Sequence, residues 1–229
     1  MTASLSDRLD TLTQRLRAAA PKVAATLVAV SKTQPAAAVA EAYALGQRVF
    51  GENYVQEALA KMRELRDRCP DIEWHLIGPL QSNKCREVAE HFDWLQTLDR
   101  AKLIALLARY RPEALPPLQV LIQVNIDDED SKSGCTPAQV AELARAIAEQ
   151  PRLRLRGLMS IPKPWPELAQ RRASFAQLRQ LFDQLQRDLP DIDTLSMGMS
   201  EDFELALEQG ATMVRVGSAL FGARPKPGG

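Results

Sequence analysis

Apolar positions along the chain follow two rhythms that take turns. "ATLVAVS" is a continuous apolar run of strand length. "PAAAVAEAYALG", which follows closely, has helical spacing, with Pro35 near its start and Gly46 just past its end. The pair recurs down the chain. "RVF" precedes a helix carrying Val55, Leu59 and Met62; "EWHLI" precedes one near residues 82 to 91; "DWLQTL" precedes "RAKLIALLARY". "LQVLIQVN" then leads to a helix with Val140, Leu143 and Ile147, and "LRLRGLMS" to a long one through Phe175, Leu178, Phe182 and Leu185. "DTLSM" with "EDFELALEQG", and finally "TMVRVG", complete the series. About eight strands alternating strictly with helices predict a (β/α)8 TIM-type barrel. A doubly wound open sheet shares that alternation and stands as the alternative.

Ahead of the first strand, Leu5, Leu9, Leu12 and Leu16 recur at helical spacing with charges between them. They predict an extra amphipathic helix over residues 1–20 that packs on the body, and the interspersed charges are unlike a signal peptide. No linker or low-complexity segment interrupts the pattern, so residues 1–229 are expected to form one barrel domain, with 223–229 as a frayed tail.

Composition narrows the partners. The 229 residues suffice for a sizeable core, and 29 basic residues balance 29 acidic ones. That balance leaves no electrostatic footprint for nucleic acid or an anionic membrane, and no apolar run reaches the roughly 20 residues of a membrane span. Cys69, Cys85 and Cys135 are scattered, without a CxxC pair, so neither a disulfide framework nor a metal site is expected. The expected setting is the reducing cytoplasm, and the expected ligand is small.

In either fold the binding site lies beyond the carboxyl ends of the strands. Those ends offer Lys32, Glu52 and Asn53 in "FGENY", His75 and Gly78, Asn125, Met159 and Ser160, residues 196–200, and Arg215 to Ser218. Lys32 closes an uncharged strand. If desolvated there, its amine attacks carbonyls to form a Schiff base; the plainer reading pairs it with an acid such as Glu52. The loops after the last two strands suit a phosphate: "SMGMS" supplies Gly198 and Ser200, and "RVGS" supplies Gly217 and Ser218, each before a helical turn. Their plainer readings are a helix cap for Ser200 and a turn for Gly217. An imine-forming lysine beside a phosphate cradle points to a phosphorylated carbonyl compound, either a sugar phosphate for an aldolase or pyridoxal phosphate as a cofactor. His75 either faces the pocket or sits hydrogen-bonded in the core. "DDEDSKSG", residues 127–134, reads as a solvated loop or a lid in which Lys132 pairs with an acid. Glu52 and Asp202 pair with basic residues as readily as they do chemistry.

"VAVSKTQP", "FGENYVQE", "WHLIGPLQSNK", "VLIQVNIDDEDSKSG", "LRGLMSIP", "LSMGMSEDFELAL" and "MVRVGSALFGAR" together resemble the pyridoxal phosphate homeostasis protein family, relatives of the alanine racemase barrel, from about residue 20 to Arg224. The resemblance implies that Lys32 holds pyridoxal 5'-phosphate as an internal aldimine and that Ser200, Gly217 and Ser218 take the phosphate. It also implies that Arg215 lies near the pyridine ring and that Asn53 lines the pocket. Family members often carry a second lysine where this chain has Gln34.

The two-domain racemases complete their site with a second domain and a tyrosine from across a dimer interface. Here the strand-helix units are used up by about residue 222, and Tyr43, Tyr54 and Tyr110 fall on helices or at a helix start. A bound cofactor with no opposing acid-base group forms imines but moves protons on carbon poorly. The expectation is therefore a monomeric, non-enzymatic protein that stores pyridoxal phosphate or hands it to apo-enzymes. The alternative is a small amino-acid racemase or lyase that uses His75 or Lys32 as base.

Overall fold

The computed structural model describes residues 3–20, 24–128 and 133–222. Lys22, Lys132, Arg224 and the expected tail at 223–229 lie outside the described residues, as does the middle of the 127–134 loop. Eight parallel strands close into a barrel in chain order. They are β1 (Thr26–Val30), β2 (Val49–Glu52), β3 (Glu73–Leu76), β4 (Trp94–Leu98), β5 (Leu118–Gln123), β6 (Leu153–Met159), β7 (Thr194–Ser196) and β8 (Met213–Val216). Closure is made by β1 against β8, with Val28 opposite Arg215 and Ala29 opposite Val216. The barrel, and not the open sheet, is the architecture.

Helices α1 (Leu5–Ala19), α2 (Ala36–Ala44), α3 (Val55–Leu65), α4 (Cys85–His91), α5 (Ala101–Tyr110), α6 (Val140–Ala148), α7 (Leu168–Asp188), α8 (Phe203–Glu208) and α9 (Ser218–Phe221) surround it. The alternation of each strand sends one set of side chains outward, where Ala29, Phe50, Trp74 and Leu195 join the helices in one large apolar core. The other set fills the barrel, where Val28, Trp94, Leu121, Met159 and Met213 form a smaller cluster. His75, Gln96, Ser196 and Arg215 share that interior and are all buried. The N-terminal helix forms as its leucine spacing predicts. Leu5, Leu9, Leu12 and Leu16 are buried, and the helix packs against α8 and α9. Ser4 caps it: its Oγ accepts from Asp7 N–H at 3.1 Å, and Asp7 Oδ2 accepts from Ser4 N–H at 3.0 Å.

One outward-facing cluster fixes how the chain leaves β1. Ser31 and Glu52 follow each other round the barrel and point toward α3, where the Lys61 ammonium uses all three donors. They go to Ser31 O at 2.7 Å, Glu52 Oε1 at 2.8 Å and Glu57 Oε1 at 2.7 Å. Ser31 Oγ donates to Glu52 Oε1 at 2.6 Å. Glu57 Oε1 also accepts the N–H of Thr33 at 2.6 Å, and Thr33 holds a left-handed φ of 64° that a β-branched residue rarely adopts. Glu52 therefore pairs with Lys61; the plainer reading that assigned it to Lys32 is corrected, because Lys32 leaves the strand on the opposite, inward side. The turn carrying Lys32 is pinned from both ends.

Lys61→Met should expose the fragility of this arrangement, because it leaves the Glu52 carboxylate buried without its cation. The expected loss is about 3–5 kcal/mol of unfolding free energy near neutral pH, measured by urea denaturation. Burial already pushes the Glu52 carboxyl above the usual range, against the opposing pull of Lys61 and Ser31. The folded state of the variant binds that proton more tightly than the unfolded chain, so its stability rises as pH falls through the folded pKa. The deficit should be smaller at pH 5 than at pH 7; an equal deficit would contradict the assignment.

Candidate functional site

A cavity of about 380 Å³ opens at the carboxyl ends of β1, β2, β6, β7 and β8. That volume suits a small organic ligand. Lys32, Asn53, Ser200, Arg215, Gly217 and Ser218, the residues singled out from the sequence, all line it. Gln34 lines it as well.

Local sequence explains the convergence. Val30 and Lys32 point inward by the alternation of β1 and the pinned turn that follows it. Asn53 sits just past β2, and the β3 exit passes so close that a Cβ on Gly78 would stand 2.2 Å from Asn53 O, so only glycine permits this approach. At Gly217 a Cβ would meet Val30 O at 3.2 Å, which keeps the end of β8 tight against β1. α9 begins at Ser218, and the first amides of a helix have no partner inside it. α8 begins at Phe203 with Asp202 at the capping position, so Ser200 is not the N-cap that its plainer reading made it.

Arg215 dominates the electrostatics. It is 4% exposed; Nη1 donates to Ser196 Oγ at 2.6 Å and Nη2 to Ser160 O at 2.7 Å. Burial pushes its pKa down to about 10, against the attraction of Asp202, so it remains a cation at neutral pH. Asp202 lines the same cavity, and burial raises its carboxyl pKa. The N–H of Met199, donating to Oδ1 at 2.7 Å, and the charges of Arg171 and Arg215 pull the other way.

Among the described residues three buried side-chain oxygens have no partner: Glu52 Oε2 outside the barrel wall, Asn53 Oδ1 at the cavity, and Ser160 Oγ, on the residue whose carbonyl holds Arg215. An orphaned amide carbonyl is an acceptor waiting for a donor, and a buried guanidinium without a bonded carboxylate is a donor waiting for an anion. A ligand bearing a hydroxyl and a phosphate answers both.

His75 is not in the cavity. It is fully buried inside the barrel, with Nε2 at 2.8 Å from Glu73 Oε1 and Nδ1 at 2.8 Å from Gln96 Nε2. Burial holds its pKa below the usual range, with Glu73 opposing. This is the core reading of His75. None of Tyr43, Tyr54 and Tyr110 lines the cavity. Cys69, Cys85 and Cys135 are buried free thiols; burial raises Cys85 to about 11 and Cys135 to about 12. Among the described residues no group of side chains is arranged to hold a metal ion, and no helix is long and apolar enough to cross a membrane.

Sequence reasoning missed Arg171 and the wall made by Ile161, Pro162 and Pro164. Arg171 belongs to the first turn of α7, away from any strand end. The wall had a signal in the proline-rich "IPKPWP" directly after β6.

A family model for the alanine racemase N-terminal domain matches residues 6–225. The pyridoxal phosphate homeostasis protein of Escherichia coli strain K12 is 56% identical over 200 residues, covering 87% of this chain and 86% of that protein. Its counterpart in Vibrio cholerae serotype O1 is 50% identical over 228 residues, covering 96% and 97%. The structure of PipY from Synechococcus elongatus PCC7942 with PLP bound superposes with a TM-score of 0.84 at 42% identity, covering 96% of this chain and all of that one. Likeness of this extent, along nearly the full length of both chains, means that the chain belongs to the pyridoxal phosphate homeostasis protein family, on the fold of the alanine racemase N-terminal domain.

Proposed function

We propose that the barrel mouth holds pyridoxal 5'-phosphate, linked covalently through the Lys32 amine, and that the protein stores or hands over this cofactor without efficient catalysis of its own. The observation that carries the reading is the buried Arg215 cation, which lines one cavity with Lys32 and with the unpartnered Asn53 carbonyl. The family to which the chain belongs, and the PLP reported in the PipY structure, support the same ligand.

Bound there, the cofactor would supply an aldehyde that condenses with primary amines. The protein's own residues do the rest. Ser200, Ser218 and the backbone around Gly217 would take the phosphate, with hydroxyls and first-turn amides as donors. α8 and α9 are short, so these local donors matter more than any helix macrodipole. Asn53 would accept a hydrogen bond from the cofactor, and Arg215 would supply fixed positive charge.

Moving a proton on a bound amino acid needs an acid-base group facing the reacting carbon. Among the described residues the cavity wall offers no tyrosine, histidine or cysteine. The alternative of a small racemase or lyase loses His75 as its base, because both ring nitrogens are engaged inside the barrel. Lys32 and the carboxyl groups of Glu201 and Asp202 remain in the wall to serve that reading. Transfer to recipient apo-enzymes would use the open side of the mouth.

The direct test is borohydride reduction of protein loaded with pyridoxal phosphate, followed by peptide mapping. The expected result is a visible absorption band that reduction abolishes and a label on Lys32; a label on Lys84 or Lys102 instead would reject the site. Lys32→Ala should fold normally and lose the adduct.

Ser200→Asp should weaken cofactor binding far more than Ser200→Ala, because the new carboxylate faces the phosphate whereas alanine leaves the backbone donors in place. Equal losses would remove Ser200 from the phosphate site. Amino-acid racemisation should stay well below typical enzyme turnover of roughly 1 per second or faster, and turnover at that rate would favour the racemase reading.

A further inference from the structure

A line of buried polar side chains crosses the barrel beneath the cavity, and every hydrogen bond in it runs the same way. Arg215 Nη1 on β8 donates to Ser196 Oγ on β7 at 2.6 Å. Ser196 Oγ donates to Gln96 Oε1 on β4 at 2.7 Å. The Gln96 amide nitrogen faces His75 Nδ1 on β3 at 2.8 Å, and His75 Nε2 faces Glu73 Oε1 at 2.8 Å. Burial keeps the His75 ring neutral, so Nδ1 accepts from Gln96 while Nε2 carries the proton toward Glu73. Stacking on Trp94, with ring centroids 5.0 Å apart and planes 9° from parallel, fixes the plane of the ring.

The chain has no slack. Gln96 must present its amide end to the acceptor nitrogen of His75, which turns its carbonyl end to Ser196. Ser196 is then committed as a donor to Gln96, which leaves its lone pairs for Arg215. The orientation of one amide thus decides whether Arg215 has a side-chain acceptor below it. Arg215 has a competing attraction: Asp202 lines the same cavity, and its charge acts on the guanidinium.

We propose that Gln96 is a positioning residue for the cavity: through Ser196 its amide holds the Arg215 guanidinium across the barrel and out of an ion pair with Asp202, which leaves the positive charge available to an anionic ligand. The relay therefore sets the charge that the cavity presents, although Gln96 and His75 line no part of it. The inference rests on the reading that pyridoxal phosphate occupies this cavity.

A double-mutant cycle tests it. Gln96→Met keeps the side-chain volume and removes the hydrogen bonds to His75 and Ser196 together with the one from Gln96 Nε2 to Met213 Sδ. Asp202→Asn removes the competing charge while keeping an acceptor for Met199 N–H. Dissociation constants for pyridoxal phosphate are measured by absorption titration for wild type, both single variants and the double variant. Gln96→Met should weaken binding roughly tenfold in the wild-type background and by no more than about twofold in the Asp202→Asn background. An equal cost in both backgrounds, or none in either, overturns the proposal. If Gln96→Met does not fold, Ser196→Ala cuts the same chain one bond nearer Arg215.

A second readout needs no cofactor. In ¹H–¹⁵N spectra of the apo-protein the Arg215 Nε–H resonance should shift in Gln96→Met and return toward its wild-type position in the double variant. A resonance that Gln96→Met leaves unmoved overturns the relay. If wild type binds no pyridoxal phosphate, the proposed function fails while the apo spectra still judge the relay.

Discussion

A guanidinium buried inside a barrel is the constraint around which the site is organised. Taking an unpaired charge out of water costs on the order of several kcal/mol even after relaxation. The structure offsets that for Arg215 with oxygens from Ser196 and Ser160 and with the field of Asp202, and with no bonded carboxylate. Neutral acceptors take one N–H on each terminal nitrogen but leave the charge unneutralised. Arg215 therefore brings a positive charge with no bonded carboxylate to a wall that also holds Lys32, Arg171, Glu201 and Asp202, and an anion bound beside it would complete its electrostatics. The polar interior formed by His75, Gln96 and Ser196 follows from the same requirement, at positions that a barrel otherwise fills with branched apolar residues.

The other half of the site depends on a second buried charge that is fully paired. Lys61 lies outside the barrel wall and spends its three donors on Ser31, Glu52 and Glu57. Its partners in turn hold Thr33 in a strained conformation, and so fix the turn from which Lys32 enters the cavity. The two cations divide the work. The paired one gives a rigid exit from β1, and the one without a bonded carboxylate gives the cavity its charge. Gly78 and Gly217 let the neighbouring strand ends close in around Asn53 and Val30.

The order of strands and helices was legible in the sequence because it depends on local period. "ATLVAVS" and "TMVRVG" read as strands from composition alone, the rule that ligands lie beyond strand ends put Lys32, Ser200, Gly217 and Ser218 among a longer list of candidates, and the family resemblance added the roles of Asn53 and Arg215. Contacts across the barrel were not legible. Nothing in "DWLQTL" announces that Gln96 reaches Ser196, a hundred residues later, because strands on opposite sides of a barrel share no local pattern. The partner of Glu52 was not singled out either: Lys61 stands only nine residues further on, but on a helix, and only the fold shows that Glu52 points outward to it while Lys32 turns to the inner side. Arg171 escaped because a helix, not a strand end, delivers it to the cavity.

The most direct measurement of the central claim is a crystal structure of the protein grown with pyridoxal phosphate. The account predicts continuous density from Lys32 Nζ to the ligand, the phosphate against Ser200 and the first turn of α9, and Arg215 still bonded to Ser196 with no ion pair to Asp202. A phosphate seated away from that turn, or a ligand unconnected to Lys32 with Arg215 swung onto Asp202, would contradict it.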